Sequence, residues 1–203
     1  VTKETRLGLV LAINLAMIVA LVGVGLAAHS LGVLASAADY LGDAAGVALA
    51  LVALRLSRRP PGHPRATSIA ALVNSTFLLL VTVVVAAEAL RRLIGGSPEV
   101  HGLPVLIVSV IAGVAMVLCA LILGKIEDTD LSTRSVMLDT VADAAAAGGV
   151  AISGAVILVT GTLDWLDAAV ALVIAVVVGY HALKLVREVL EDLRHPSAAR
   201  SRP

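Results

Sequence analysis

Six long apolar stretches separated by short polar connections set the pattern of the chain: Leu7–Ala28, Leu31–Leu56, Ile69–Leu93, Leu103–Leu123, Val136–Thr160 and Leu166–Val186. A helix needs ~20 predominantly apolar residues to cross a bilayer, and each stretch is long enough, with tilt absorbing any excess. No period-2 alternation suggests a barrel. Lipid offers no water to open backbone groups, so the predicted elements are helices. The expected fold class is an all-α integral membrane protein with six transmembrane helices. Residues 1–190 are expected to form one six-helix domain and 191–203 a short cytoplasmic tail. Lys3 and Arg6 before the first stretch, and Gly25-Leu26-Ala27-Ala28 at its end, mimic a signal peptide. The stretch exceeds the ~7–15 residues of a signal core, so it is read as a true span.

Composition sharpens this picture. The chain of 203 residues is 59% hydrophobic, 15% charged and 2% aromatic, with a mean hydropathy of +1.01. Soluble domains carry about a quarter charged residues, which excludes a water-soluble enzyme. The same values exclude disorder. Formal net charge is zero, so no bulk field points to nucleic acid. The single cysteine, Cys119, lies in an apolar run and reads as a buried, inert thiol.

The zero net charge conceals an asymmetry. With the N-terminus placed inside, the inner segments hold thirteen of the fifteen basic residues, and the outer side keeps only Arg91 and Arg92. For short loops this bias predicts cytoplasmic termini at both ends. Trp165, at an outer boundary, is an expected interfacial anchor.

Four carboxylates lie within the apolar stretches. Span 2 reads Asp39-Tyr-Leu-Gly-Asp43-Ala-Ala and span 5 reads Asp139-Thr-Val-Ala-Asp143-Ala-Ala. Each pair is spaced i,i+4 and shares one helical face, where like charges repel. An Asp at the centre of a spanning helix costs at least ~2.5 kcal/mol on insertion scales. No Lys or Arg lies within a turn of either pair. Protons or a bound cation must therefore compensate them. A divalent metal favours the ionised form, so such a site exchanges protons for metal. Spans 2 and 5 are the middle helices of two three-span halves running in opposite directions, the arrangement of a 3+3 inverted repeat with its site at the interface. The small residues Ala144–Ala147, Gly148 and Gly149 are expected to let a neighbour approach span 5.

At these residues the chain resembles the cation diffusion facilitator family of metal exporters. The resemblance rests on the six spans, the His29-Ser-Leu-Gly-Val-Leu-Ala-Ser-Ala-Ala-Asp39-Tyr-Leu-Gly-Asp43 segment, Arg58-Arg59-Pro60-Pro61, Ala70-Ala-Leu-Val-Asn74, Glu88-Ala-Leu-Arg-Arg-Leu93 and Trp165-Leu-Asp167-Ala-Ala. It implies a homodimer, held through its spans, that exports divalent metal against protons by alternating access. It also implies that Asp39, Asp43, Asp139 and Asp143 form a tetrahedral metal site. Many members carry histidine at the position of Asp139. An all-carboxylate set is harder and favours manganese or iron. Zinc also accepts Asp ligands and is the commonest cargo of the family. Zinc is placed first and manganese second, with no cofactor beyond the transported metal and protons. On this resemblance the chain is expected to be a short form without the family's usual cytoplasmic metal-sensing domain. A bacterial-type cytoplasmic membrane is the expected location.

Other polar residues have both a chemical and a plainer reading. His63, in the basic loop, is a candidate accessory metal ligand or a solvated histidine. Glu127, Asp128 and Asp130 would draw cations to an entrance or simply form a solvated loop. Glu191, Asp192 and His195, with Glu188, share one face of a helix extending span 6, which would hold a weak metal or be solvated. His181 is a candidate proton relay or a structural hydrogen-bonding group, and Lys184 snorkels. Asn14, Asn74, Ser75 and Thr76 are expected to bond between helices. Glu88 and Arg92 form a local ion pair.

Two other classes compete. An intramembrane metal-dependent enzyme would also use paired aspartates, but the Asp-Gly and Ala-Arg signature of lipid-headgroup transferases is absent before Asp39 and Asp139. A non-transporting scaffold would use neutral Asp side chains as interhelical bonds and gain no stability from metal.

Overall fold

The computed structural model describes residues 3–56, 64–124 and 132–194; for residues 3, 53–56, 64–71, 123–124, 132–142, 144 and 191–194 the description covers the backbone alone. His63, Glu127, Asp128, Asp130 and His195 lie outside the described residues, as do the side chains of Asp139, Glu191 and Asp192.

Among the described residues six helices follow in order: α1 (Lys3–Ala27), α2 (Leu31–Leu56), α3 (Pro64–Gly95), α4 (Gly102–Gly124), α5 (Ser132–Thr160) and α6 (Trp165–Arg194). The described residues are all-helical apart from their short connections. Among the described residues, four helices, over Glu4–Ala27, Leu31–Val52, Gly102–Ile122 and Trp165–Leu190, are by themselves long and apolar enough to cross a membrane. The apolar piece of α5 among the described residues, Ala145–Thr160, is shorter.

Three connections, around residues 28–30, 96–101 and 161–164, meet at one end of the bundle. The His101 amide donates to the Ala28 carbonyl at 3.2 Å, and the Val100 amide donates to Asp164 Oδ1 at 2.9 Å. Since α1 ends here and α4 begins here, the two run in opposite directions. The pairing repeats with them: α1 packs on α2 as α4 packs on α5, and α3 packs on α6. This is the packing of two inverted three-helix halves.

Large apolar side chains cover much of the surface, while several polar side chains lie inside beside the apolar core. Val19, Phe77, Leu80, Val84, Ile111, Leu121, Ile152 and Val173 are exposed, while Asn14, Ser36, Ser75, Thr82, Ser153 and Asp167 are buried. A lipid-facing surface gains nothing from hiding apolar side chains, whereas interior polar groups find partners there. The main core joins all six helices through Leu21, Val33, Tyr40, Leu78, Val105, Val150 and Ala171. A smaller core of Leu7, Val10, Val47 and Cys119 closes the other end, where Cys119 Sγ donates to Asn14 Oδ1 at 3.8 Å and links α4 to α1. Cys119 is buried, as its apolar context predicts. Ser75 donates to the Leu72 carbonyl of its own helix at 3.2 Å.

Candidate functional site

The residues that aim α2 are found before those that line the site. Ser30 caps the helix, its hydroxyl accepting from the Val33 amide at 3.1 Å. Asp167, from the first turn of α6, completes the cap across the bundle. Its Oδ2 accepts from the Leu31 amide at 2.6 Å, and its Oδ1 accepts from the Ser30 hydroxyl at 2.6 Å and the Gly32 amide at 3.2 Å. A carboxylate at a helix N-terminus meets both unpaired amides and the positive end of the helix dipole. The carboxylate is fully buried. Gly32 makes room for it, since a Cβ there would lie 2.9 Å from Asp167 Oδ1. One turn beyond Ser36, the Tyr40 hydroxyl donates to the Ala112 carbonyl and ties α2 to α4. Asp39 lies between these two fixings.

The α5 helix is placed by close backbone crossings. A Cβ on Gly102 would stand 2.5 Å from the Gly154 carbonyl oxygen and 2.6 Å from the Leu158 amide nitrogen, so α4 and α5 touch backbone to backbone. Farther along, Ala147 packs against Gly113 of α4, and Gly149 faces Val170 of α6. The small residues of α5 therefore admit neighbours on two sides, as its sequence predicts.

Between α2, α5 and α6 lies a cavity of about 490 Å³, lined by Asp39, Asp143 and His181 among mostly small and apolar residues including Ala146, Gly149, Val170, Val173, Ile174 and Val177. Asp39 and Asp143 are half-buried, whereas Asp43, one turn on, is exposed. The charges of Asp143 and Asp43 both act on Asp39. Asp139 belongs to the same helix as Asp143, one turn before it. Among the described residues, no three His, Cys, Asp or Glu side chains are grouped closely enough to hold a metal ion. The cavity thus offers hard oxygen donors from two helices and an imidazole from a third, in an apolar surround. Such a combination can exchange a cation for protons.

The sequence reading did not assign Asp167 a role; its only local signals are its place in the first turn of α6 and the Ser30 cap signature far away in the chain. The α6 helix continues past Val186 to Arg194, carrying Glu188, Glu191 and Asp192 as the charge spacing predicts. Lys184 lies 3.8 Å from Glu188. Near the connecting end, Glu88 pairs with both Arg91 at 2.7 Å and Arg92 at 3.2 Å.

Residues 7–194 match the cation efflux transmembrane domain. The chain is 33% identical over 172 residues to a zinc transporter, ZitB, of Yersinia pestis, covering 81% of this chain and 54% of that protein. It is 29% identical over 179 residues to a cadmium, cobalt and zinc/H(+)-K(+) antiporter of Bacillus velezensis, covering 83% of this chain and 56% of the other. A metal cation efflux system protein, CzcD, of Cupriavidus metallidurans is 27% identical over 178 residues, covering 85% and 56%. The chain spans about half the length of these curated relatives.

Proposed function

The chain belongs to the cation efflux family of membrane transporters, and on that premise we propose that it exports a divalent transition-metal ion, zinc foremost, in exchange for protons. The observation that carries this reading is the single cavity bounded by Asp39 of α2, Asp143 of α5 and His181 of α6. In the proposed site Asp43 and Asp139 join Asp39 and Asp143, so that four carboxylates hold the ion. Zinc is put first because similar proteins are named for it. The all-carboxylate donor set favours a second reading, manganese, since hard oxygen donors suit it.

Alternating access supplies the coupling. In the inward-facing state the carboxylates bind the metal; in the outward-facing state protons displace it. Each step requires that the two states differ in affinity for metal and for protons. His181, on the cavity wall, is the proposed proton relay. The excess of basic residues on one side supports cytoplasmic termini in a bacterial-type plasma membrane. The exposed apolar helix faces are available for lipid and for a second copy in a homodimer.

Uptake of zinc into inside-out vesicles tests the reading. An inside-acid proton gradient is expected to drive accumulation, and collapsing it with a protonophore is expected to stop accumulation. Metal-dependent chemistry on a lipid substrate without flux would replace transport by the enzyme reading. A lack of any metal effect on thermal stability would favour the scaffold.

A further inference from the structure

Outside the carboxylate cavity, the described residues bring two imidazoles together at the connecting end of the bundle. His29 lies in the turn between α1 and α2, and His101 lies immediately before α4. Their ring centres are 6.2 Å apart and the rings are tilted by 32°. Both side chains are exposed.

The surrounding backbone fixes this pair. His29 has a φ of 55°, the left-handed region that few residues other than glycine and asparagine enter readily. Its carbonyl accepts from Arg92 Nη1 at 2.6 Å. The next residue, Ser30, donates its amide to the Gly25 carbonyl at 2.9 Å and is held through its hydroxyl by Asp167. The His101 amide is bonded to the carbonyl just before His29. The two residues therefore belong to one tethered corner, although 72 positions separate them in sequence. The Arg92 guanidinium is balanced by Glu88, so the corner does not present a bare cation to an arriving metal.

We propose that His29 and His101 together bind one divalent transition-metal ion at this end of the bundle. Imidazole is the favoured ligand of zinc, copper and nickel. With metal–nitrogen bonds of ~2.0–2.1 Å, two imidazoles on a tetrahedral ion place their ring centres about 5 Å apart, so the 6.2 Å pair closes onto an ion by roughly 1 Å, within reach of side-chain rotation at two exposed histidines. Water completes the coordination, because both rings face solvent. The site is distinct from the cavity: His29 precedes Asp39 by ten residues, or ~15 Å of helix rise. It does not depend on the transport reading, because its ligands include none of the four aspartates.

Equilibrium zinc binding to the purified full chain carrying Asp39→Asn, Asp43→Asn, Asp139→Asn and Asp143→Asn tests the proposal. One zinc per chain is expected to remain and to be lost on adding either His29→Asn or His101→Asn. Asparagine suits the left-handed φ at position 29, so that change spares the turn. No zinc retained by a folded four-Asn chain, or zinc retained despite both histidine changes, would overturn the proposal. Should the four-Asn chain fail to fold, copper(II) spectroscopy on the otherwise unaltered chain answers the same question. Hyperfine coupling to two imidazole nitrogens is expected and should disappear with His29→Asn; coupling unchanged by both His29→Asn and His101→Asn would refute the site. His63, His181 and His195 remain in every variant, so the losses report this pair alone.

Discussion

Asp167 Oδ2 accepts a 2.6 Å hydrogen bond from the Leu31 amide, across 136 positions of sequence, and so places the start of α6 on the start of α2. The same carboxylate takes the Ser30 hydroxyl and the Gly32 amide, leaving it fully buried and fully used. Asp167→Ala would orphan three donors in the interior. The expected loss is roughly 2–3 kcal/mol of stability, since hydrogen bonds to a charged group are the strong ones and buried donors cannot recover them from water. Asp167→Asn keeps an acceptor and should lose less. Thermal unfolding of the two variants in detergent checks the order; equal melting temperatures for wild type and Asp167→Ala would refute the role given to this cap.

Close approach makes a second, graded prediction. A methyl group on Gly102 would meet backbone atoms at 2.5 and 2.6 Å, which cannot move aside without separating α4 from α5. At Gly32 it would meet a side-chain oxygen at 2.9 Å, and at Gly148 nothing within 4 Å. Gly102→Ala is expected to cost about 1–3 kcal/mol, as overpacking generally does. Gly32→Ala should cost less, because Asp167 can shift at the expense of its hydrogen bonds. Gly148→Ala should be neutral or slightly stabilising, as alanine is the better helix former. Melting temperatures in the reverse order would contradict the packing described.

The helix pattern was legible because lipid imposes long apolar runs. The predicted second span, Leu31–Leu56, coincides with α2. The ends that differ are polar ends: α3 starts at Pro64, where proline fits the first helical turn, and α5 starts at Ser132. Apolar run length cannot mark such boundaries. The matched spacing of the two Asp pairs in opposed halves pointed to α2 and α5 as the helices to compare, and Asp39 and Asp143 line one cavity. The Asp167 cap and the His29–His101 corner were not, because each joins residues far apart in sequence and neither follows a local period.

Donor chemistry yields a prediction about selectivity. If Asp139 supplies an oxygen ligand, Asp139→His replaces it with a softer nitrogen. Competition between zinc and manganese in vesicle transport should then move toward zinc, because imidazole suits zinc and carboxylate suits manganese. An unchanged competition ratio with transport intact would place Asp139 outside the ligand set.

His181 separates proton handling from metal holding. It lines the cavity with Asp39 and Asp143, yet it is not among the four proposed ligands. His181→Gln should weaken the dependence of zinc flux on the proton gradient while leaving zinc affinity at equilibrium unchanged. A parallel fall in affinity would instead make His181 a ligand.

The most direct measurement is zinc flux into proteoliposomes under a fixed proton gradient, compared for the wild type, Asp39→Asn and Asp143→Asn, with folding of each checked by its melting temperature. Both substitutions preserve shape and remove a charge on the cavity wall. Loss of flux in each, with the fold retained, is the expected result; wild-type flux in both folded variants would contradict the assignment of the Asp39–Asp143 cavity as the transport site.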